Sequence, residues 1–293
     1  MEVMLMENIL AMPLRKLGSS DLFASAIGMG CMPLSVSGRP SEADSLQTIY
    51  AALEQGITFL DTADSYCLND TDRGHNERLI AKVIKHHPEV IVATKGGLIR
   101  PEGRWETNGR PEHLRQACED SLKSLGVEAI ALYQFHQSDP SVPFAESLGA
   151  IADLQRSGKI LHVGLSNVSL IQLEAALLIV KVVSVQNRMN LFDRSSHAIM
   201  KRCEDLGIAF LPYSPLNGMG QAGKIGDNKI LSRVARAHNA SPQQVALAWL
   251  LQLSDNIIPI PGASRSVSIV NSAQAIGIKL TPEDVVLLNA VAQ

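Results

Sequence analysis

Short apolar runs recur along the chain: Ala26 to Met29, Ile57 to Leu60, Val90 to Thr94, Ala131 to Phe135, Ile160 to Leu165, Val182 to Gln186, Ile208 to Leu211 and Ile257 to Ile260. Most are nearly continuous in hydrophobicity rather than alternating. That is the pattern of parallel strands covered by helices on one side and by a packed interior on the other. Between them lie segments of helical period. Leu114, Ala117, Cys118, Leu122 and Leu125 are followed by Gly126, where a C-terminal cap would sit. Phe144, Leu148, Ile151 and Leu154 are closed by Gly158, and Ile199, Met200, Cys203 and Leu206 by Gly207. Ser241-Pro-Gln-Gln244 and Thr281-Pro-Glu-Asp284 have the form of helix starts, with a capping hydroxyl and Pro in the first turn.

Strands alternating with helices imply βα units with right-handed crossovers, and eight such units close a ring. The expected fold is therefore α/β, a (β/α)8 TIM barrel forming one domain over residues 1–293. Leu14 to Ala24, with Gly18-Ser-Ser-Asp21 at its centre, reads as a β-hairpin closing the barrel floor, and an extra C-terminal helix is expected from Thr281. A doubly wound sheet is the rival. Its dinucleotide fingerprint fails at the first strand, where Gly28-Met-Gly30-Cys-Met-Pro33 has Pro in place of the third glycine.

A chain of 293 residues, 46% hydrophobic and 19% charged, can bury a core of that size. A net charge of −3 and a pI near 6.2 give no excess of cations for a phosphate backbone or an anionic bilayer, so neither nucleic acid nor membrane is expected as a partner. There is no apolar run of spanning length and no leader pattern, and a cytoplasmic location is expected. Cys31, Cys67, Cys118 and Cys203 form no C-x-x-C pair and read as reduced thiols. Met1 to Ala11, rich in Met, reads as a disordered lead or an alternative start before Met12. The end at Gln293, soon after the last helix, suggests no long C-terminal flap and an open barrel mouth.

In a barrel the side chains that meet substrate come from the C-terminal ends of the strands. Polar residues just after the apolar runs are Asp61, Lys95, His136, Ser166 with Asn167, Gln186 with Asn187, and Tyr213 with Ser214. A buried lysine needs its charge paired, and Asp61 on the neighbouring strand is the obvious partner. A purely structural ion pair is the alternative. Tyr66 and His136 tilt the balance: an ammonium beside a phenol is expected to lower its pKa toward a value useful for proton donation, and a neutral imidazole can hold a carbonyl oxygen.

Together the segments Phe59-Leu-Asp-Thr-Ala-Asp-Ser-Tyr66, Ala93-Thr-Lys95, Gln134-Phe-His136, Gly164-Leu-Ser-Asn167, Val185-Gln186-Asn187, Tyr213-Ser-Pro-Leu216 and Ile260-Pro-Gly262 resemble the aldo-keto reductase family, in that family's order. The resemblance runs from about Leu14 to the C-terminus and implies an NADP-dependent carbonyl reductase that turns an aldehyde or ketone, bulky or small, into the alcohol. It implies Tyr66 as general acid, Lys95 and Asp61 tuning it, and His136 orienting the carbonyl. It further implies Ser166, Asn167 and Gln186 on the nicotinamide carboxamide, Tyr213 stacked on the ring, and Gly262, Ser264 and Arg265 at the adenosine phosphate. A guanidinium beside a hydroxyl suits a 2′-phosphate, so NADPH is expected over NADH. Ser214 to Gly226, including Leu216, Gly218, Gly220 and Gly223, is a glycine-rich loop able to approach the pyrophosphate. The family's usual Glu-Asn pair is replaced here by Asn271 and Ser272.

Substrate choice is expected to lie with the loop Gly96 to Gly109, Trp105 lining the pocket and Met29, Met32 and Cys67 adding an apolar wall. For Trp105 the alternative is packing on an outer helix. Two other readings stand beside the reductase. One is a non-catalytic NADPH-sensing subunit of the same fold, which needs a partner surface. The other is a Schiff-base aldolase using Lys95, which the charge of Asp61 opposes. A metal hydrolase would need clustered ligands, and His136 is the one clear candidate. Oligomeric state and reaction direction are not legible.

Overall fold

The computed structural model describes residues 11–292. Most of the lead segment Met1 to Ala11 therefore falls outside the described residues. A short antiparallel hairpin comes first, β1 (Leu14–Lys16) and β2 (Phe23–Ser25), followed by β3 (Met29–Gly30), α1 (Glu42–Glu54), β4 (Phe59–Asp61), α2 (His75–Ile84) and β5 (Ile91–Gly96). A second hairpin, β6 (Leu98–Ile99) and β7 (Glu106–Thr107), precedes α3 (Pro111–Leu125), β8 (Ile130–Phe135), α4 (Phe144–Arg156), β9 (Ile160–Ser166), α5 (Leu170–Leu177), β10 (Val182–Gln186), α6 (His197–Asp205) and β11 (Ala209–Phe210). The remainder is helical: α7 (Lys229–Ala237), α8 (Pro242–Leu253), α9 (Ser266–Ala273) and α10 (Pro282–Asn289).

Strands β3, β4, β5, β8, β9, β10 and β11 form a parallel seven-stranded sheet in chain order. The eighth apolar run closes the ring without becoming a regular strand. Ile258 and Ile260 donate their amides to Phe210 and Pro212, while the carbonyls of Pro259 and Pro261 accept from Gly28 and Gly30. Bridges Phe210 to Ile257 and Gly30 to Gly262 mark the two seams. The prolines have no N–H to return toward Gly28, so one seam carries only half a ladder. The fold is the (β/α)8 barrel of the expected class.

The helix boundaries follow the caps read from the chain. Gly126 ends α3 at φ +68°, and Ser241 and Thr281 make reciprocal capping boxes with Gln244 and Asp284. Two elements depart from expectation. The stretch Gly96 to Gly109 is not a plain loop but holds the β6–β7 hairpin, and α8 follows α7 with no strand between them.

The first hairpin plugs the floor. Leu17 is fully buried against Phe59, Ile91, Leu132, Val183 and Ile258 inside the ring. Arg15 fastens β1 by donating to the carbonyls of Leu251 and Ser254, each at 2.9 Å, and also to that of Ile257. Thus the bottom is closed by apolar packing and the polar ends of the strands open only at the top. No helix among the described residues is long and apolar enough to cross a membrane.

Candidate active site

Period-two alternation sets which residues face inward. Phe59, Ala93 and Leu132 belong to the interior cluster, and two positions further on come Asp61, Lys95 and Gln134, with His136 after Gln134. Each inner row is apolar below and polar at the mouth. Tyr66 arrives from the loop after β4, whose backbone is pinned by Thr62 N–H to the Ala93 carbonyl and Asp64 N–H to the Lys95 carbonyl.

Lys95 is fully buried, and its ammonium donates to Asp61 Oδ2 at 2.7 Å, the Thr62 carbonyl at 2.8 Å and Tyr66 Oη at 2.9 Å. The second oxygen of Asp61 accepts from Gln186 Nε2 at 2.6 Å and Gln134 Nε2 at 3.1 Å. Three acceptors fill the three protons of an ammonium, which leaves no lone pair for attack on a carbonyl and removes the footing of the aldolase reading. Burial pushes the Lys95 pKa down while Asp61 holds it up.

The expectation of a Tyr66 pKa lowered from the ordinary tyrosine value is not met. Burial, and after it the Asp61 carboxylate, hold the phenol well above the usual tyrosine range. The physical reason is that the cost of burying a phenolate, with the Asp61 carboxylate close by, exceeds what the Lys95 ammonium returns. The resting group is a fully protonated phenol. His136, 6% exposed, packs edge-on to Tyr66 with ring centroids 5.7 Å apart. Burial and then Lys95 drive its pKa well below the usual histidine range, so the imidazole is neutral, and its Nδ1 is buried without a partner.

Above these residues lies an elongated cavity of about 940 Å³. Asp61, Tyr66 and His136 line one end with Trp105 and Met32. The wall continues through Ser166, Asn167, Gln186 and Tyr213, then Ser214, Leu216 and Gly218, to Gly262, Ser264 and Arg265. Asn167 adopts φ +54°, which turns its amide back to donate to the His136 carbonyl at 3.1 Å and the Ser166 hydroxyl oxygen at 3.2 Å. Its Oδ1 accepts from Tyr213 Oη at 2.9 Å, fixing that ring over the cavity. The Ser166 hydroxyl is left to donate and Gln186 Oε1 to accept.

Not every expected wall residue is there. Met29 is fully buried in the layer between sheet and helices, and Cys67 likewise lies behind the surface, so neither lines the cavity. Met32, three residues on and inside the short 3₁₀ turn Met32–Leu34, does. Residues missed from the sequence are Gln134, which clamps Asp61, and Gln243 and Ser268, which line the far end. Gln134 was findable, since it sits two positions before His136 on the same inner row.

A family model described as the aldo/keto reductase family matches residues 26–293. An uncharacterized oxidoreductase, C215.11c, of Schizosaccharomyces pombe is 37% identical over 268 residues, which cover 90% of this chain and 85% of that protein. Probable aldo-keto reductase 1 of Glycine max is 35% identical over 301 residues, covering 92% and 86% respectively. Among solved structures, the thermostable aldo-keto reductase Tm1743 in complex with the inhibitor epalrestat superposes with a TM-score of 0.82 at 28% identity, over 96% of this chain and 100% of that one. Aldo-keto reductase AKR11C1 from Bacillus halodurans, in its holo form, matches in fold with a TM-score of 0.80 at 24% identity, over 96% and 97%.

Proposed function

The chain belongs to the aldo/keto reductase family of oxidoreductases, and from that premise we propose that it reduces an aldehyde or ketone to the alcohol with NADPH, Tyr66 supplying the proton. The observation that carries the reading is the neutral phenol of Tyr66 at the end of a 940 Å³ cavity with Lys95 2.9 Å behind it and a neutral His136 beside it.

Family membership implies a nicotinamide dinucleotide, and the polar groups of the cavity wall suit one. A primary carboxamide needs a donor for its oxygen and acceptors for its nitrogen. The Ser166 hydroxyl offers the first; Gln186 Oε1 and Asn167 Oδ1 offer the second. Tyr213, held by Asn167, presents an aromatic face beside them. Ser214, Leu216 and Gly218 would follow the pyrophosphate, and Gly262, Ser264 and Arg265 the adenosine phosphate. When bound, the cofactor supplies hydride to the carbonyl carbon.

The chain's own residues do the rest. The substrate oxygen is received by the Tyr66 O–H and the neutral imidazole of His136, two groups able to hold it without carrying charge themselves. As negative charge develops on that oxygen, the phenol proton transfers to it, completing the alcohol. The phenolate left behind lies 2.9 Å from the Lys95 ammonium, a contact worth more to the anion than to the resting phenol, and this is the differential stabilisation catalysis requires. Asp61 keeps the lysine charged and fixed through its Gln134 and Gln186 hydrogen bonds. Solvent then returns the proton to Tyr66.

The test is NADPH oxidation by the purified protein across aromatic aldehydes, sugars, pyridoxal and steroid-like ketones. Carbonyl-dependent oxidation is expected; none with any member of the panel would sink the reading and favour a cofactor-binding subunit.

A further inference from the structure

The β6–β7 hairpin carries a buried arginine that the proton chemistry does not use. Arg100 is 6% exposed, and among the described residues no carboxylate lies within ion-pair distance of it. Its charge is met by carbonyl oxygens and a ring. Nε and Nη2 donate to the Gly103 carbonyl at 3.1 and 2.7 Å, Nη2 also reaches the Leu68 carbonyl at 3.4 Å, and Nη1 is buried with no partner. The guanidinium carbon stands 3.9 Å from the centroid of Trp105. Burying a cation on such terms costs stability, so the arrangement calls for a role beyond holding the hairpin together.

Three connections converge on this residue. Its backbone N–H donates to Asp70 Oδ1 at 3.0 Å, its carbonyl accepts from the Asp70 N–H at 3.1 Å, and its side chain reaches Leu68, two residues after Tyr66. The hairpin is thereby tied to the same loop that delivers the phenol. Trp105, packed on the plate that Arg100 provides, meets Tyr66 edge-on with centroids 6.4 Å apart at 80°. The indole is 46% exposed and lines the cavity beside Met32, Leu98 and His136. A tryptophan on a two-strand hairpin would otherwise sample several rotamers; a flat cation at 3.9 Å selects one.

We propose that Arg100 is a positioning residue for substrate choice, holding the Trp105 indole as a fixed wall beside Tyr66 and His136 so that the site favours planar aromatic carbonyl compounds over small aliphatic ones. This rests on the reductase reading for where the carbonyl sits, but its physical content is a binding preference. A pre-set aromatic face gains from a flat π-system by stacking and loses no rotamer freedom on binding. A short aliphatic aldehyde does not reach that face, and its binding depends on Tyr66 and His136 alone.

The experiment measures binding by calorimetry in the presence of NADP, with 2-acetonaphthone and butanone as probes, ketones that the oxidised cofactor can neither reduce nor oxidise, for the wild type, Arg100→Met, Trp105→Ala and the double variant. Arg100→Met is expected to weaken the aromatic probe about tenfold and the aliphatic one less than twofold. In the Trp105→Ala background the same change is expected to have no further effect on the ratio, because Arg100 acts through the indole. Arg100→Lys, which keeps the charge but not the plate, should fold and show the same preference at intermediate size; it decides the matter if the Met variant does not fold. Equal losses for both probes, or an undiminished effect of Arg100→Met without Trp105, would overturn the proposal. Absence of turnover in the wild type counts against the reductase reading alone, since the binding ratio is read without turnover.

Discussion

The hydroxyl of Tyr66 and the ammonium of Lys95 lie 2.9 Å apart, with the Asp61 carboxylate on the far side of the lysine. The ammonium favours the phenolate, but burial and then Asp61 outweigh it, so the phenol stays protonated in the resting site. The site is organised for an acid that stays protonated until the substrate oxygen takes the proton.

Tyr66→Phe should accordingly reduce turnover by at least about a thousandfold, combining loss of a general acid with loss of a charge-assisted contact in the transition state. Dissociation constants for NADPH should stay within a few-fold, since Tyr66 touches none of the groups assigned to the carboxamide. Full activity of this variant with any accepted carbonyl would remove Tyr66 from the chemistry.

Gly18 is the tightest point of the barrel floor. It has φ +57°, and an added Cβ would sit 2.3 Å from the Val183 carbonyl oxygen. Gly18→Ala must either strain the turn or withdraw Leu17 from the interior, and a loss of about 2–4 kcal/mol in unfolding free energy is expected by denaturant titration. The active site lies at the opposite end, so kcat well below the melting temperature should change less than twofold. A variant as stable as wild type would mean that the hairpin does not close the floor as described.

How much of this was legible beforehand follows from what each feature depends on. Asp61, Lys95 and His136 end apolar runs, so strand alternation alone carries them to the barrel mouth. Tyr66 and Trp105 come from segments outside the main strands; the sequence motif finds the first, but nothing local says that Arg100 backs the second. The eighth strand was read as regular, yet Pro259 and Pro261 leave one seam without its return hydrogen bonds. Met29 and Met32 look alike in sequence, and only the short turn at Met32–Leu34 decides which reaches the cavity. The pKa of Tyr66 lies above the expectation because burial of the phenol, and after it the Asp61 carboxylate, outweigh the lysine, and neither cost is visible in the residue types alone.

Behind the lysine strand, Glu77 is 1% exposed, with Oε1 accepting from Thr94 Oγ1 at 2.6 Å and Oε2 lacking a partner. Burial, and then Asp64, raise its pKa from 4.5 to about 7. For a carboxyl raised by folding, the favourable contribution is complete below the unfolded value and is lost as pH climbs through the folded one. Wild-type stability should therefore fall between about pH 4.5 and 7 by up to about 3 kcal/mol from this group, with Asp64, raised to about 6 chiefly by burial, acting in the same direction. Glu77→Gln should flatten that slope and be more stable than wild type at pH 8. Thermal melts across the range check it; parallel curves for the two proteins would contradict the assignment.

Arg265 is exposed at the N-cap position of α9 and, with Ser264, lines the end of the cavity furthest from Tyr66. If this pair holds a 2′-phosphate, the contact is a charge-assisted hydrogen bond open to solvent, worth about 1.5–3 kcal/mol, or roughly ten- to a hundredfold in affinity. Arg265→Ala should raise the Kd for NADPH by that factor and leave the Kd for NADH within about twofold, because the two cofactors differ only at that phosphate. The same exposure makes the preference sensitive to salt: raising ionic strength from about 0.01 M to 0.15 M shortens the Debye length from about 30 to about 8 Å and should narrow the NADPH-to-NADH ratio in wild type but not in the variant. Asn271 and Ser272 line the same cavity and add no charge, so the discrimination falls to Arg265. Equal affinity of the wild type for both cofactors, at any salt concentration, would take Arg265 out of cofactor choice.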